Sequence, residues 1–219
     1  FPDNPNGLTL SNSIKLYNIK RAFLQKLSSL VSERKLEYQE FAKLILLADI
    51  IPIETANEYL ELKIEHLESS ISKSLPDTPR LLLTGGMFDS YRLFEAVPEF
   101  NYLVADDLSF GTRNFNFTVP QSRFLEGYAK AYLERTPDPT AFDMSKRLNG
   151  IKSQIKHHRI DGVVLLGVKW CDPDTFEFVP IQNALKDLDI PYLNIETTPD
   201  LSNQQQIQTR LTAFIEMIS

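Results

Sequence analysis

Asp161-Gly-Val-Val-Leu-Leu-Gly-Val-Lys-Trp-Cys-Asp-Pro-Asp174 is the stretch on which the fold turns. From Gly162 to Val168 the residues are apolar almost without a break, which is the pattern of a parallel strand covered on both faces. Asp172-Pro173 then predicts a turn. That reading puts Cys171 just past the carboxyl end of the strand, at the rim where open α/β sheets hold their ligands. Lys169 stands close enough in sequence to favour a thiolate there. The competing reading is that Cys171 is a small buried hydrophobe. Composition alone does not decide between them.

Working outward, strands alternate with helical patterns. Arg80 to Gly86 reads as a strand delivered into a glycine turn, followed by a helix carrying Tyr91, Leu93 and Phe94. Asn101 to Asp107 reads as a second strand, and a long connection from Leu108 to Pro120 leads to helices near 121–135 and 143–157. After the Cys171 strand come a helix over 181–188, a strand at Tyr192 to Glu196 and a closing helix over 203–218. Such alternation predicts an α/β fold: a parallel, doubly wound sheet of four strands or slightly more, flanked by helices.

Ahead of the sheet the period is helical. Ile14, Tyr17, Phe23, Leu24, Leu27, Leu30 and Val31 predict a helix over 11–32 with Ser11 or Ser13 as its cap, and a second helix spans about 36–49. Thr55-Ala-Asn-Glu58 has the form of a capping box. Leu60, Ile64, Leu67 and Ile71 behind it define a third helix with one buried stripe. Pro76 and Pro79 mark a boundary, so 1–78 is expected to be a helical unit with a linker-like start and 79–219 the α/β lobe. The opening Phe1-Pro-Asp-Asn-Pro-Asn-Gly7 has no initiator methionine, which suggests processing or excision from something longer.

Composition narrows the function. The chain has 219 residues, 42% hydrophobic and 24% charged, enough to bury a full core. A net charge of -6 leaves no basic stripe for tracking nucleic-acid phosphates. A single cysteine excludes an internal disulfide framework and fits a reducing compartment. There is no apolar run of about eighteen residues and no signal-peptide layout, so no membrane partner is expected and the cytoplasm is the expected location.

Four loops should share the rim: Thr84-Gly85-Gly86, Asp106-Asp107, Lys169 to Asp174, and Glu196-Thr197-Thr198. Gly85 and Gly86 either receive an anionic group on backbone amides or make a plain strand-to-helix turn. Asp106-Asp107 either binds a cation, acts as a general base, or caps a turn. Arg113 and Arg123 either pair with phosphate or carboxylate or merely solvate a surface. Phe115 and Phe117 either pack on the core or wall a pocket. His157-His158, at a helix end, reads as a solvated terminus.

Taken together, Leu82-Leu-Thr-Gly, Val104-Ala-Asp-Asp-Leu-x-x-Gly-x-Arg113, Asp161-Gly-Val, Lys169-Trp-Cys-Asp-Pro173, Ile190-Pro-Tyr-Leu-x-Ile-Glu196 and Gln208-Thr-Arg-Leu-x-Ala-Phe-Ile-Glu216 resemble the 2-hydroxyacyl-CoA dehydratase and benzoyl-CoA reductase family. Ser13-Ile-x-Leu-Tyr-Asn18 and Arg21 are similar to the helical link before that family's carboxyl-terminal, Rossmann-like lobe.

The resemblance implies a two-subunit enzyme, each subunit built of two α/β lobes with a 4Fe-4S cluster held by three cysteines between them. It implies an acyl-CoA substrate, a homologous second subunit and, as in the dehydratases, a separate ATP-dependent iron-sulfur activator that injects one electron so that a ketyl radical loses the hydroxyl, the other reaction of the family being reduction of an aromatic acyl-CoA. Cys171 matches the ligand from the carboxyl-terminal lobe, and the other two ligands belong to an amino-terminal lobe outside this sequence. Gly85, Gly86, Asp107, Arg113 and Lys169 are the candidate cofactor-binding residues around it. One sulfur cannot hold a cubane by itself, so this chain alone is expected to bind no cluster and to be inactive. Relatives often carry cysteine at the positions of Ser109 and Asp138. The alternative is a non-catalytic α/β partner subunit or small-molecule binding module that has lost the cluster.

Overall fold

The structure is a computed structural model that describes residues 7–69, 78–86, 90–121, 125–137 and 143–219. Ile71, Pro76, Arg123 and Asp138, singled out above, lie outside the described residues, as do 1–6 of the expected linker. Helices α1 (Gly7–Ser32), α2 (Tyr38–Ile50) and α3 (Ile53–Ser69) precede strand β1 (Leu81–Gly85). Then follow α4 (Ser90–Ala96), a 3-10 turn (Pro98–Tyr102), β2 (Leu103–Asp107), α5 (Thr112–Phe115), α6 (Leu125–Leu133) and α7 (Met144–His158). Strand β3 (Gly162–Val168), α8 (Asp172–Asp187), β4 (Tyr192–Thr197) and α9 (Gln204–Ile218) complete the chain.

All strand pairs are parallel and the order is β2-β1-β3-β4. This is the expected α/β sheet with an amino-terminal helical unit. Side chains alternate between the two faces, as the pleat requires. Leu81, Leu83, Val164 and Leu166 join the core formed with α1–α4 and α9, whereas Leu82, Val163 and Leu165 pack with Ile151 and Ile155 of α7 and Phe178 and Ile181 of α8. The winding direction reverses between β1 and β3. Doubly wound sheets open their ligand crevice at that seam.

Several predicted boundaries move. Helix α1 begins at Gly7, so Ser11 and Ser13 lie inside it and cap nothing. Helix α3 begins at Ile53, and Ala56 already donates to the Pro52 carbonyl, so the Thr55–Glu58 box falls within the first turns. Asn101 and Tyr102 belong to the 3-10 turn ahead of β2. The largest shift is α8. Asp172-Pro173, read as a turn, is its opening, because proline at a first helical position loses no needed amide and has a helix-ready φ.

Strand β4 is an edge. Its outward carbonyls do not stand bare: Arg210 Nη2 donates to Asn194 O at 2.8 Å and Asn203 Nδ2 to Glu196 O at 2.7 Å, both from the α9 side. Helix α1 runs opposite to the strands. Near its middle Asn18 exchanges two hydrogen bonds with the Val119 backbone, past the carboxyl end of β2. At its far end Ser32 meets Arg80, just ahead of β1. His158 Nδ1 lies 2.8 Å from Ser32 Oγ, so this histidine is half-buried and tied down rather than freely solvated, while His157 is exposed.

Candidate functional site

The rim divides into two parts. On the β3 side, Lys169 and Trp170 turn the chain into α8, with Trp170 at φ 71° and its indole 88% exposed. Left-handed φ is costly for a bulky residue, so this turn stores strain beside the thiol. Cys171 is the N-cap residue of α8, half-buried, with its amide donating to Val168 O at 2.9 Å. Burial pushes its thiol up. The Asp174 backbone amide opposes that, and the Asp174 and Asp172 carboxylates reinforce it. The Lys169 ammonium lies 5.1 Å from the Trp170 ring centre. The charged groups that act on the sulfur are thus the flanking Asp174 and Asp172 carboxylates.

On the β1–β2 side, charges are buried and matched. Arg147 of α7, only 1% exposed, donates from Nε to Asp107 Oδ2 at 3.1 Å and from Nη2 to Thr84 Oγ1 at 3.2 Å. It is also paired with Glu177 of α8. Arg113 approaches Asp107 Oδ1 at 3.6 Å and donates to Gly85 O at 3.0 Å and Pro137 O at 2.9 Å. Thr84 donates to Asp107 as well, at 3.1 Å. Two guanidiniums thus face two carboxylates in a space closed to water, and desolvation is offset only because each charge has an opposite beside it. Desolvation still lowers Arg147 below the usual arginine range.

The glycine turn is crowded. A Cβ on Gly85 would stand 2.1 Å from Leu166 O, and one on Gly86 2.1 Å from Asp174 Oδ1. Glycine there lets β1 and the first turn of α8 meet. Asp174 also accepts from the Val168 amide at 3.3 Å, so a carboxylate of this chain already occupies the approach to Gly86. Asp106 shapes the following loop: it accepts from the Leu108 amide at 3.0 Å and the Thr112 amide at 2.8 Å. Burial raises its carboxyl, and the Thr112 and Leu108 amides pull it back. Phe115 is core, in edge contact with Phe41, and Phe117 packs against Tyr132.

The structure therefore brings Gly85, Asp107 and Arg113 together and leaves Lys169 and Cys171 on the next strand's exposed turn. Sequence reasoning missed Arg147, Glu177 and Asp174. The signal for Arg147 was available, since Arg147, Ile151 and Ile155 form one stripe of α7 spaced by four, which places an arginine at a core position. Between α2, α4 and the loop after β2 lies an apolar cavity of about 390 Å³, lined by Tyr38, Ile45, Leu46, Phe94, Leu108 and Phe110.

The model of the 2-hydroxyglutaryl-CoA dehydratase D-component family matches residues 8–218. The chain belongs to this family. Among its relatives are the (R)-phenyllactyl-CoA dehydratase beta subunit of Clostridium sporogenes, 27% identical over 64% of this chain and 38% of the relative, and the lactoyl-CoA dehydratase subunit beta of Anaerotignum propionicum, 24% identical over 97% and 58%. The beta subunit of (R)-2-hydroxyglutaryl-CoA dehydratase of Acidaminococcus fermentans is 22% identical over 94% and 57%. The chain thus spans between 38% and 58% of the length of these D-component relatives.

Set against the cluster expected from the resemblance, the donor set is incomplete. Among the described residues no three His, Cys, Asp or Glu side chains converge as a metal site, and the sequence has one cysteine. These residues do not by themselves fit an iron-sulfur cubane, which needs thiolates on most of its irons. Among the described residues, too, no helix is long and apolar enough to cross a membrane.

Proposed function

We propose that this chain is the carboxyl-terminal part of a subunit of a 2-hydroxyacyl-CoA dehydratase, and that Cys171 contributes one thiolate to a 4Fe-4S cluster whose other ligands come from outside these residues. One observation carries the reading: in a member of the dehydratase family, the chain's single thiol caps α8 beside the β1–β3 seam. Metal binding would draw the raised thiol into its ionised form, as coordination does for sulfur ligands generally. The cavity between α2 and α4 has the size and apolar lining that suit a small acyl group. A homologous partner subunit and an ATP-dependent activator belong to the same reading.

A second reading, an α/β partner that carries no cluster, is favoured by the lone sulfur and its acidic surroundings. Iron and sulfide content separate the two. In the assembled protein, purified without oxygen, Cys171→Ser should remove cluster iron and dehydratase activity while the far-ultraviolet circular dichroism stays unchanged. Iron retained in full by the serine variant would leave the partner reading standing.

A further inference from the structure

Arg21 of α1 is only 6% exposed, yet among the described residues no carboxylate pairs with it. Its neighbour Lys20 shows the usual arrangement, with Nζ 2.7 Å from Asp49 Oδ1. Arg21 instead donates from Nη1 to Asn18 Oδ1 at 3.1 Å and from Nη2 to Tyr132 Oη at 2.8 Å. The face of its guanidinium lies 4.4 Å from the Phe117 ring centre. Neutral partners and a ring face soften the burial of a cation, but they do not supply the opposite charge that normally offsets its desolvation.

The guanidinium borders a cavity of about 380 Å³ between α1 and α6, lined also by Ile14, Tyr17, Val119, Tyr128 and Tyr132. Tyr128 and Tyr132 lie 4.8 Å apart in tilted contact, so an aromatic wall stands next to the cation. The position is at the ligand side of the sheet, because Asn18 and Gln25 fasten the middle of α1 to Val119 and Phe115, beyond the carboxyl end of β2.

We propose that this cavity binds a small molecule holding both an anionic oxygen group, phosphoryl or carboxylate, and a planar ring. The anion lies against Arg21, whose forked donors match such groups, and the ring lies against the tyrosines. The site is separate from Cys171 and does not depend on whether the cluster exists.

Isothermal titration of the full chain with adenosine monophosphate, benzoate and inorganic phosphate tests this. At least one of the two ring-bearing probes should bind saturably at one site. Arg21→Met should weaken it by at least about tenfold, the scale of one charge-assisted contact, with Arg21→Lys in between. Tyr128→Ala, at a side chain 37% exposed and outside the buried core, should weaken the ring-bearing probe and leave inorganic phosphate as it was, and this arm stands if the Arg21 variants fail to fold. Preference for the nucleotide assigns a phosphoryl ligand, and preference for benzoate a carboxylate. No saturable binding of either ring-bearing probe by the native chain, or binding indifferent to both Arg21→Lys and Tyr128→Ala, would overturn the proposal and leave Arg21 as a cation resting on Phe117.

Discussion

The two halves of the sheet rim solve opposite problems. Around β1 and β2, Asp107, Arg113, Arg147 and Glu177 are buried together and hold the strand ends to α7 and α8. Beside β3, the exposed Trp170 stands on a strained turn with the half-buried Cys171 next to it. One rim thus contains a rigid clamp and a half-buried sulfur. The clamp includes Glu177, on the helix that starts right after Cys171, so the thiol is presented from a fixed base.

The contrast breaks most readily at Arg147. Arg147→Ala leaves Asp107 and Glu177 buried without their cation and should cost about 3–5 kcal/mol in a urea unfolding curve. A loss below about 1 kcal/mol would mean the clamp is not a clamp.

The opposite end of the sheet provides a control. His158 is lowered to about 4 by burial, then by His157 and Arg80. With the unfolded pKa near 6.5, stability is full above that value and falls as pH drops toward 4, because the unfolded chain takes the proton first. The ring is half-exposed, so the loss should be only about 1–2 kcal/mol. His158→Asn should flatten that part of the pH profile, and an unchanged profile would remove His158 as its source.

On the open side the effects shrink. The raised Cys171 thiol should react with iodoacetamide at pH 8 several-fold more slowly than a cysteine in a short peptide, yet to completion under native conditions. Complete protection would place the sulfur inside the clamp. The smallest change belongs to Trp170→Gly. Relief of the left-handed φ outweighs the added freedom of the unfolded chain, for a net gain under about 1 kcal/mol by thermal melting.

What the sequence disclosed follows the same division. Strand β3 was legible to the residue because a run apolar on both faces has few alternatives. The placement of Cys171 at the rim followed from it. Helix α8 was started nine residues late because Asp-Pro serves equally as a turn and as a helix opening, and only the packing of Phe178 and Ile181 selects the second. The clamp was half legible. Asp107 and Arg113 stand near one another in sequence, but Arg147 and Glu177 reach them only through tertiary contact. The i, i+4, i+8 stripe of Arg147, Ile151 and Ile155 marked the arginine as buried, but not which charges it would meet.

The covering of β4 by Arg210 and Asn203 has a consequence for assembly. With two of its outward acceptors already engaged, the β4 edge resists extension by a foreign strand. Association with another polypeptide is thereby steered away from this edge.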